Sequence, residues 1–290
     1  MKKLLVIVVV VNFFFIAGIA LRGFREKPPG ESNINNEIVE PEKPKPEEPQ
    51  PEPEPEVKRY EPKWTNYPPK GNRTSGKCDI WIDVMNHASG SESYSGNGPC
   101  TEVHETLHGI CKRESNKYGI YCMDDKMVWV EDLNTTLNTV ANNVPKSLRG
   151  RTYNLYLRQQ QQYFNSEPIY IFDEWIAYAG GTACAIDMTE SQGWTQQRWD
   201  TVLFMREFDV YALTLAMTVK PEDEQFKNML GWQLERSAKL YKEARKHPNL
   251  THKWQDEYME KWKTSSDAEG LRQSTRDYLG EEWTKRVLGF

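Results

Sequence analysis

Residues 40–56, EPEKPKPEEPQPEPEPE, limit what this chain can fold into more than any other stretch. Proline recurs there every two or three residues, and each ring removes an amide proton and clashes with the preceding helical turn, so no helix can run through. Seven Glu against two Lys repel one another and favour an extended, left-handed polyproline spacer. The surrounding residues 23–68 show no apolar periodicity either, and at ~3.1 Å per residue they could reach on the order of 100 Å. The chain of 290 residues therefore divides into a leader (1–22), a Glu/Pro-rich linker (23–68) and one folded domain (69–290), whose first regular element is expected just after Gly76. Residues 40–56 alone carry a net charge of −5, equal to that of the whole chain, so the remainder is close to neutral. With no basic stripe to follow a phosphate backbone, nucleic acid is excluded as a partner.

In the leader, Leu4 to Leu21 is a run of apolar and small residues interrupted only by Asn12. It is long for the apolar core of a signal peptide and about long enough to cross a bilayer, so it reads as a transmembrane signal anchor. Gly18-Ile19-Ala20 offers a small-residue cleavage site, which keeps a cleaved signal peptide as the alternative. Lys2 and Lys3 balance Arg22 and Arg25, leaving orientation open on charge alone. A short charged start before a long C-terminal domain favours export, placing the domain in the periplasm or extracellular space. Cys78, Cys100, Cys111, Cys122 and Cys184 all follow the leader, and in an exported domain they read as one or two disulfides with a thiol left over. No CxxC pair suggests zinc bound by cysteine. If residues 100–111 form one helix, Cys100 and Cys111 stand about 16 Å apart and cannot pair.

Within the domain, KCDIWIDVM (77–85) places Ile80, Ile82 and Val84 on one face and reads as a half-buried strand. A Gly/Ser loop (88–99) leads to a helix that Thr101 can cap, and 119–132 reads as a hairpin around Asp124-Asp125. Helical patterns then cover 133–143, 151–164, 171–188, 195–218, 222–247 and 252–263, with a last helix near 270–287. The fold class expected is α+β, with a small sheet before the helix that Thr101 can cap and a helical C-terminal lobe.

The chemistry concentrates in His104-Glu105-Thr106-Leu107-His108. Imidazoles at i and i+4 share one helix face and can reach one tetrahedral ion, while Glu105 beside the first ligand can take a proton from an activated water. Val103, Thr106 and Leu107 can pack the opposite side of the helix. HETLH resembles the zincin metallopeptidases, defined by HExxH. The metzincin extension is absent, because Cys111 stands three residues after His108 and the next histidine is His247. FDEWIAYAGG (172–181) is instead similar to the gluzincin pattern, in which a later helix supplies a glutamate. That resemblance implies one catalytic Zn2+ held by His104, His108 and Glu174, with Glu105 as general base. It departs from thermolysin-like members at Tyr178, where they carry Asp. A donor for the tetrahedral oxyanion is also needed, and Tyr178 is the first candidate, with Tyr163 and Tyr170 behind it.

Among nearby carboxylates, Glu174 is favoured as ligand because it shares a helix face with Tyr178 and would be costly to bury unpaired. Asp173 suits the first turn of that helix, and Glu167 precedes a proline and suits a turn. His87 is expected in a solvated loop, and His247 and His252 on the surface. These readings lead to a membrane-tethered zinc metallopeptidase acting on protein or peptide substrates. A second reading aims the same zinc chemistry at peptidoglycan crosslinks, and a third makes the chain a non-catalytic envelope-binding protein, against which an intact Glu105 argues.

Overall fold

The computed structural model describes residues 59–290, so the leader and the linker up to residue 58 lie outside the described residues. In chain order, β1 (Thr65–Asn66) precedes α1 (Asp79–His87) and α2 (Pro99–Ile110). The strands β2 (Lys112–Glu114), β3 (Lys117–Tyr121) and β4 (Lys126–Glu131) follow, then α3 (Leu137–Asn143), a π-helical segment (Tyr153–Gln159) and the short α4 (Gln161–Phe164). The C-terminal half is α5 (Tyr170–Gln192), α6 (Trp199–Val219), α7 (Glu224–Ala244), α8 (Lys253–Thr264), α9 (Glu269–Leu279) and α10 (Glu281–Leu288). The architecture is α+β: a small antiparallel sheet in the order β1-β4-β3-β2 beside a predominantly helical body. Among the described residues no helix is long and apolar enough to cross a membrane.

Several expectations are corrected. Residues 79–87 are helical, not a strand. Three alternating apolar residues are too few to separate a period of 2 from one of 3.6. The buried positions Val84, His87 and Ala88 form a helical stripe, and tertiary packing overrides the β-propensity of Ile80 and Ile82. The sheet consequently lies after the HETLH helix, with only the two-residue β1 before it. The folded unit also starts earlier than Gly76, since Tyr60 is buried and meets the Trp283 ring edge-on at 5.2 Å. Gly280, at φ +95, breaks the last expected helix into α9 and α10. The hairpin is where it was expected, with Met123, Asp124 and Asp125 all at positive φ in its turn.

The core is organised around α5 and α6, whose all-round burial matches helices packed on several sides. Phe172, Trp175 and Ile176 of α5 join Phe208, Tyr211 and Leu215 of α6 in the larger apolar cluster. A second cluster joins α1, α2 and the far end of α5 through Val84, Val103, Leu107, Ile110, Cys184 and Ala185. The contact of α2 with α5 depends on Gly180, where a Cβ would come within 2.3 Å of Leu107 Cδ1. At Gly181 a Cβ would lie 3.3 Å from the Cys100 carbonyl oxygen. The small pair lets the two helix backbones approach closely, and these helices carry every candidate ligand.

Candidate metal centre

α2 begins at Pro99, whose fixed φ suits the first helical position, after Gly98 at φ +101. Thr101 is therefore already inside the helix and does not cap it; its hydroxyl accepts from Arg198 Nη1 at 3.4 Å. Val103, Thr106, Leu107 and Ile110 are buried on one side of α2, while His104, Glu105 and His108 remain partly exposed on the other. Glu102 is buried but satisfied, by Lys77 at 2.5 Å, Trp81 Nε1 at 2.7 Å and the Gly96 amide at 3.0 Å.

Opposite stands the first turn of α5. His104 Nε2 and His108 Nε2 are 3.2 Å apart, and each lies 3.6 Å from Glu174 Oε2. A tetrahedral ion with bonds of ~2.0–2.2 Å needs donors roughly 3.3–3.6 Å apart, so this triangle has the size of three corners of such a site. Glu174 Oε2 is buried and accepts no hydrogen bond, an expensive arrangement unless a cation meets it. The donor set of two imidazoles and one carboxylate suits zinc.

His108 is oriented from behind. Its Nδ1 lies 3.0 Å from Asp173 Oδ2, so this nitrogen is the donor there and Nε2 is the ring atom turned to the triangle. Asp173 does sit in the first turn of α5, as expected, but it also fixes a ligand. Burial alone would lower the His108 pKa; the carboxylates of Asp173 and Glu174 outweigh it and hold the imidazole well above its ordinary value. Burial would likewise raise Glu174, but the His108 and His104 imidazoles bring it down to about 2. The carboxylate is thus ionised across the physiological range.

Glu105 is partly exposed beside His104 and has no hydrogen bond or ion pair among the described residues, which leaves its carboxylate free as a base. The Tyr178 ring meets His104 edge-on at 4.5 Å, and the Tyr178 and Tyr156 hydroxyls are 2.6 Å apart. One proton joins these oxygens, leaving the second free for donation. Burial raises both phenols well above their ordinary value, with the Glu174 charge adding to each, so both stay protonated. Tyr156 was not a candidate in the sequence. It lies on the π-helical segment, whose start is held by buried Glu207 accepting the Arg151 amide at 2.9 Å and the Thr152 amide at 2.8 Å. Tyr170 faces the Glu174 carboxylate, whereas Tyr163 is exposed and Glu167 pairs with Arg113 at 2.9 Å, away from the triangle.

The other histidines are elsewhere, and His87 corrects its expectation. It is buried at the end of α1, with Nδ1 2.7 Å from the Asp83 carbonyl and Nε2 2.7 Å from Asp125 Oδ1. His252 accepts the Trp254 amide at 3.2 Å and caps α8, and His247 pairs with Glu190 at 3.1 Å. Comparison with known protein families, curated proteins and solved structures finds no match.

Proposed function

We propose that this chain is a zinc-dependent metallopeptidase of zincin-like, gluzincin-like kind, tethered to a membrane by its leader and working at the reach of its linker in the periplasm or extracellular space. The observation that carries the reading is the convergence of His104, His108 and Glu174 into a triangle of tetrahedral dimensions around a buried carboxylate oxygen with no donor. Those three residues would hold one Zn2+. When bound, that ion supplies a Lewis acid and brings the pKa of water close to 7.

The remaining chemistry belongs to side chains of the chain itself. Glu105 takes a proton from the attacking water and returns it to the departing amine nitrogen, a role for which a partly exposed, unpaired carboxylate is suited. The Tyr156–Tyr178 pair beside His104 supplies the donor for the oxyanion that develops on the scissile carbonyl. Asp173 holds His108 in one tautomer and orientation. Gly180 and Gly181 keep α2 and α5 close enough for the two imidazoles and the carboxylate to meet.

The test is hydrolysis of an unstructured protein substrate by the full chain before and after zinc chelation. Activity that disappears on chelation and returns with added zinc supports the reading. Activity indifferent to chelation, in protein shown to be metal-free, contradicts it.

A further inference from the structure

Three of the five cysteines gather away from the metal centre. Cys78 is the residue before α1, Cys100 is in the first turn of α2, and Cys184 lies in the second half of α5. All three are buried, and all belong to the apolar cluster that joins these helices. The Cys78 and Cys184 sulfurs are 3.3 Å apart, and Cys100 is the third buried thiol of the same cluster. A disulfide needs ~2.05 Å between sulfurs, so closure asks for a movement of only ~1 Å, within reach of thiol rotation. The five cysteines are free thiols in this structure.

We propose that Cys184 is the hub of a disulfide site, bonded to Cys78 under oxidising conditions, with Cys100 as the adjacent thiol able to exchange into the bond. Formation takes two electrons and two protons from the Cys78 and Cys184 thiols. The disulfide of a small thiol such as glutathione accepts them and becomes two thiols. Exchange needs no further oxidant: the Cys100 thiolate attacks the Cys184 sulfur, the Cys100–Cys184 bond forms, and Cys78 leaves as a thiolate that takes up a proton. Cys100 is suited to start that step. The hydrogen bond from Cys184 outweighs burial and, with the Arg198 charge, holds its thiol below the ordinary value. The Cys184 thiol is pushed upward, first by its hydrogen bonds to Cys100 and Cys78 and then by burial.

The two bonds have different consequences. Cys78–Cys184 joins residues 106 apart and restrains the unfolded chain, whereas Cys100–Cys184 ties together the two helices that carry the candidate metal ligands. Neither depends on the proposed hydrolytic function.

The experiment is peptide mapping of the full chain after equilibration in a reduced/oxidised glutathione buffer, acid quenching and alkylation. Cleavage after glutamate separates all five cysteines onto different peptides, because Glu92, Glu102, Glu105, Glu114, Glu131 and Glu174 fall between them. The expected product is a crosslinked pair of peptides carrying Cys78 and Cys184, lighter by two hydrogens and released by reductant. In Cys78→Ser the crosslink should move to Cys100 and Cys184, and in Cys184→Ser neither Cys78 nor Cys100 should be crosslinked. Oxidised wild type should also melt on the order of 10 °C above the reduced form. Full alkylation of Cys184 in folded wild type at an oxidising buffer ratio, or its linkage to Cys111 or Cys122, would overturn the proposal. The wild-type map decides even if a variant does not fold.

Discussion

The groups around His108 and around His87 are made of the same parts, imidazole and carboxylate within hydrogen-bonding distance, and differ in where the lone pairs go. At His87 both ring nitrogens are occupied, by the Asp83 carbonyl and the Asp125 carboxylate. Asp83 in turn accepts the Tyr121 hydroxyl at 3.0 Å, and the His87 and Tyr121 rings stack at 4.7 Å. That knot pins the end of α1 to the β3–β4 turn. At His108 one nitrogen is fixed by Asp173, and the other faces a second imidazole nitrogen and an oxygen without a donor. A satisfied cluster holds a fold together; an unsatisfied one at ligand spacing is ready to hold an ion. Both groups place three donor atoms within 4.8 Å of one another, so distance alone does not distinguish them.

The comparison is sharpened most by Glu105, which is partly exposed next to His104 in the chain without being one of the three candidate ligands. Glu105→Gln should lower hydrolysis by ~10²–10⁴-fold while zinc content stays unchanged, measured by steady-state rates beside metal analysis. Wild-type turnover in that variant would remove the proposed base from the mechanism.

Asp173 tests whether orientation from behind matters. Asp173→Ala should weaken zinc affinity ~10–100-fold in a chelator competition, with the fold retained by circular dichroism. On sequence grounds this residue was expected to act mainly through the stability of α5. An affinity equal to wild type would return it to that role.

The His87 cluster should respond in the opposite way. His87→Ala should cost about 2 kcal/mol in urea unfolding, because it leaves the Asp83 and Asp125 groups without their partner, and should leave zinc affinity untouched. Loss of zinc in His87→Ala would erase the distinction between the clusters. The smallest effect expected is one of pH. Burial raises the Asp83 pKa above its ordinary 3.8, against the opposing effect of His87. A raised carboxylate contributes stability that is fully present below the unfolded value and is lost as pH rises through the folded one. Unfolding titrations above pH 3.8 should therefore show a small decline with pH in wild type that is absent in Asp83→Asn.

What the sequence revealed of the site follows from local spacing. His104 and His108 share a face because they are one turn apart, and the apolar neighbours of Glu174 announce a buried helix. The role of Asp173 was not legible. Which side of α5 meets His108 depends on how closely Gly180 and Gly181 let the helices approach, a tertiary fact. Tyr156 gave no signal at all, since it sits in a polar stretch whose start is held by Glu207, more than fifty residues away in sequence. The same limit misassigned α1: Ile80, Ile82 and Val84 fit a strand locally, and only packing against α2 and α5 selects the helix. The meeting of Cys78 with Cys184 across the fold is equally tertiary.

The central claim is that His104, His108 and Glu174 bind one metal ion together. The most direct measurement is zinc per chain, by elemental analysis after dialysis against a weak chelator, in wild type, His108→Ala and Glu174→Gln with folding verified for each. The account predicts one zinc in wild type and almost none in either variant. Equal zinc in wild type and Glu174→Gln, or no zinc in well-folded wild type supplied with the metal, would contradict it.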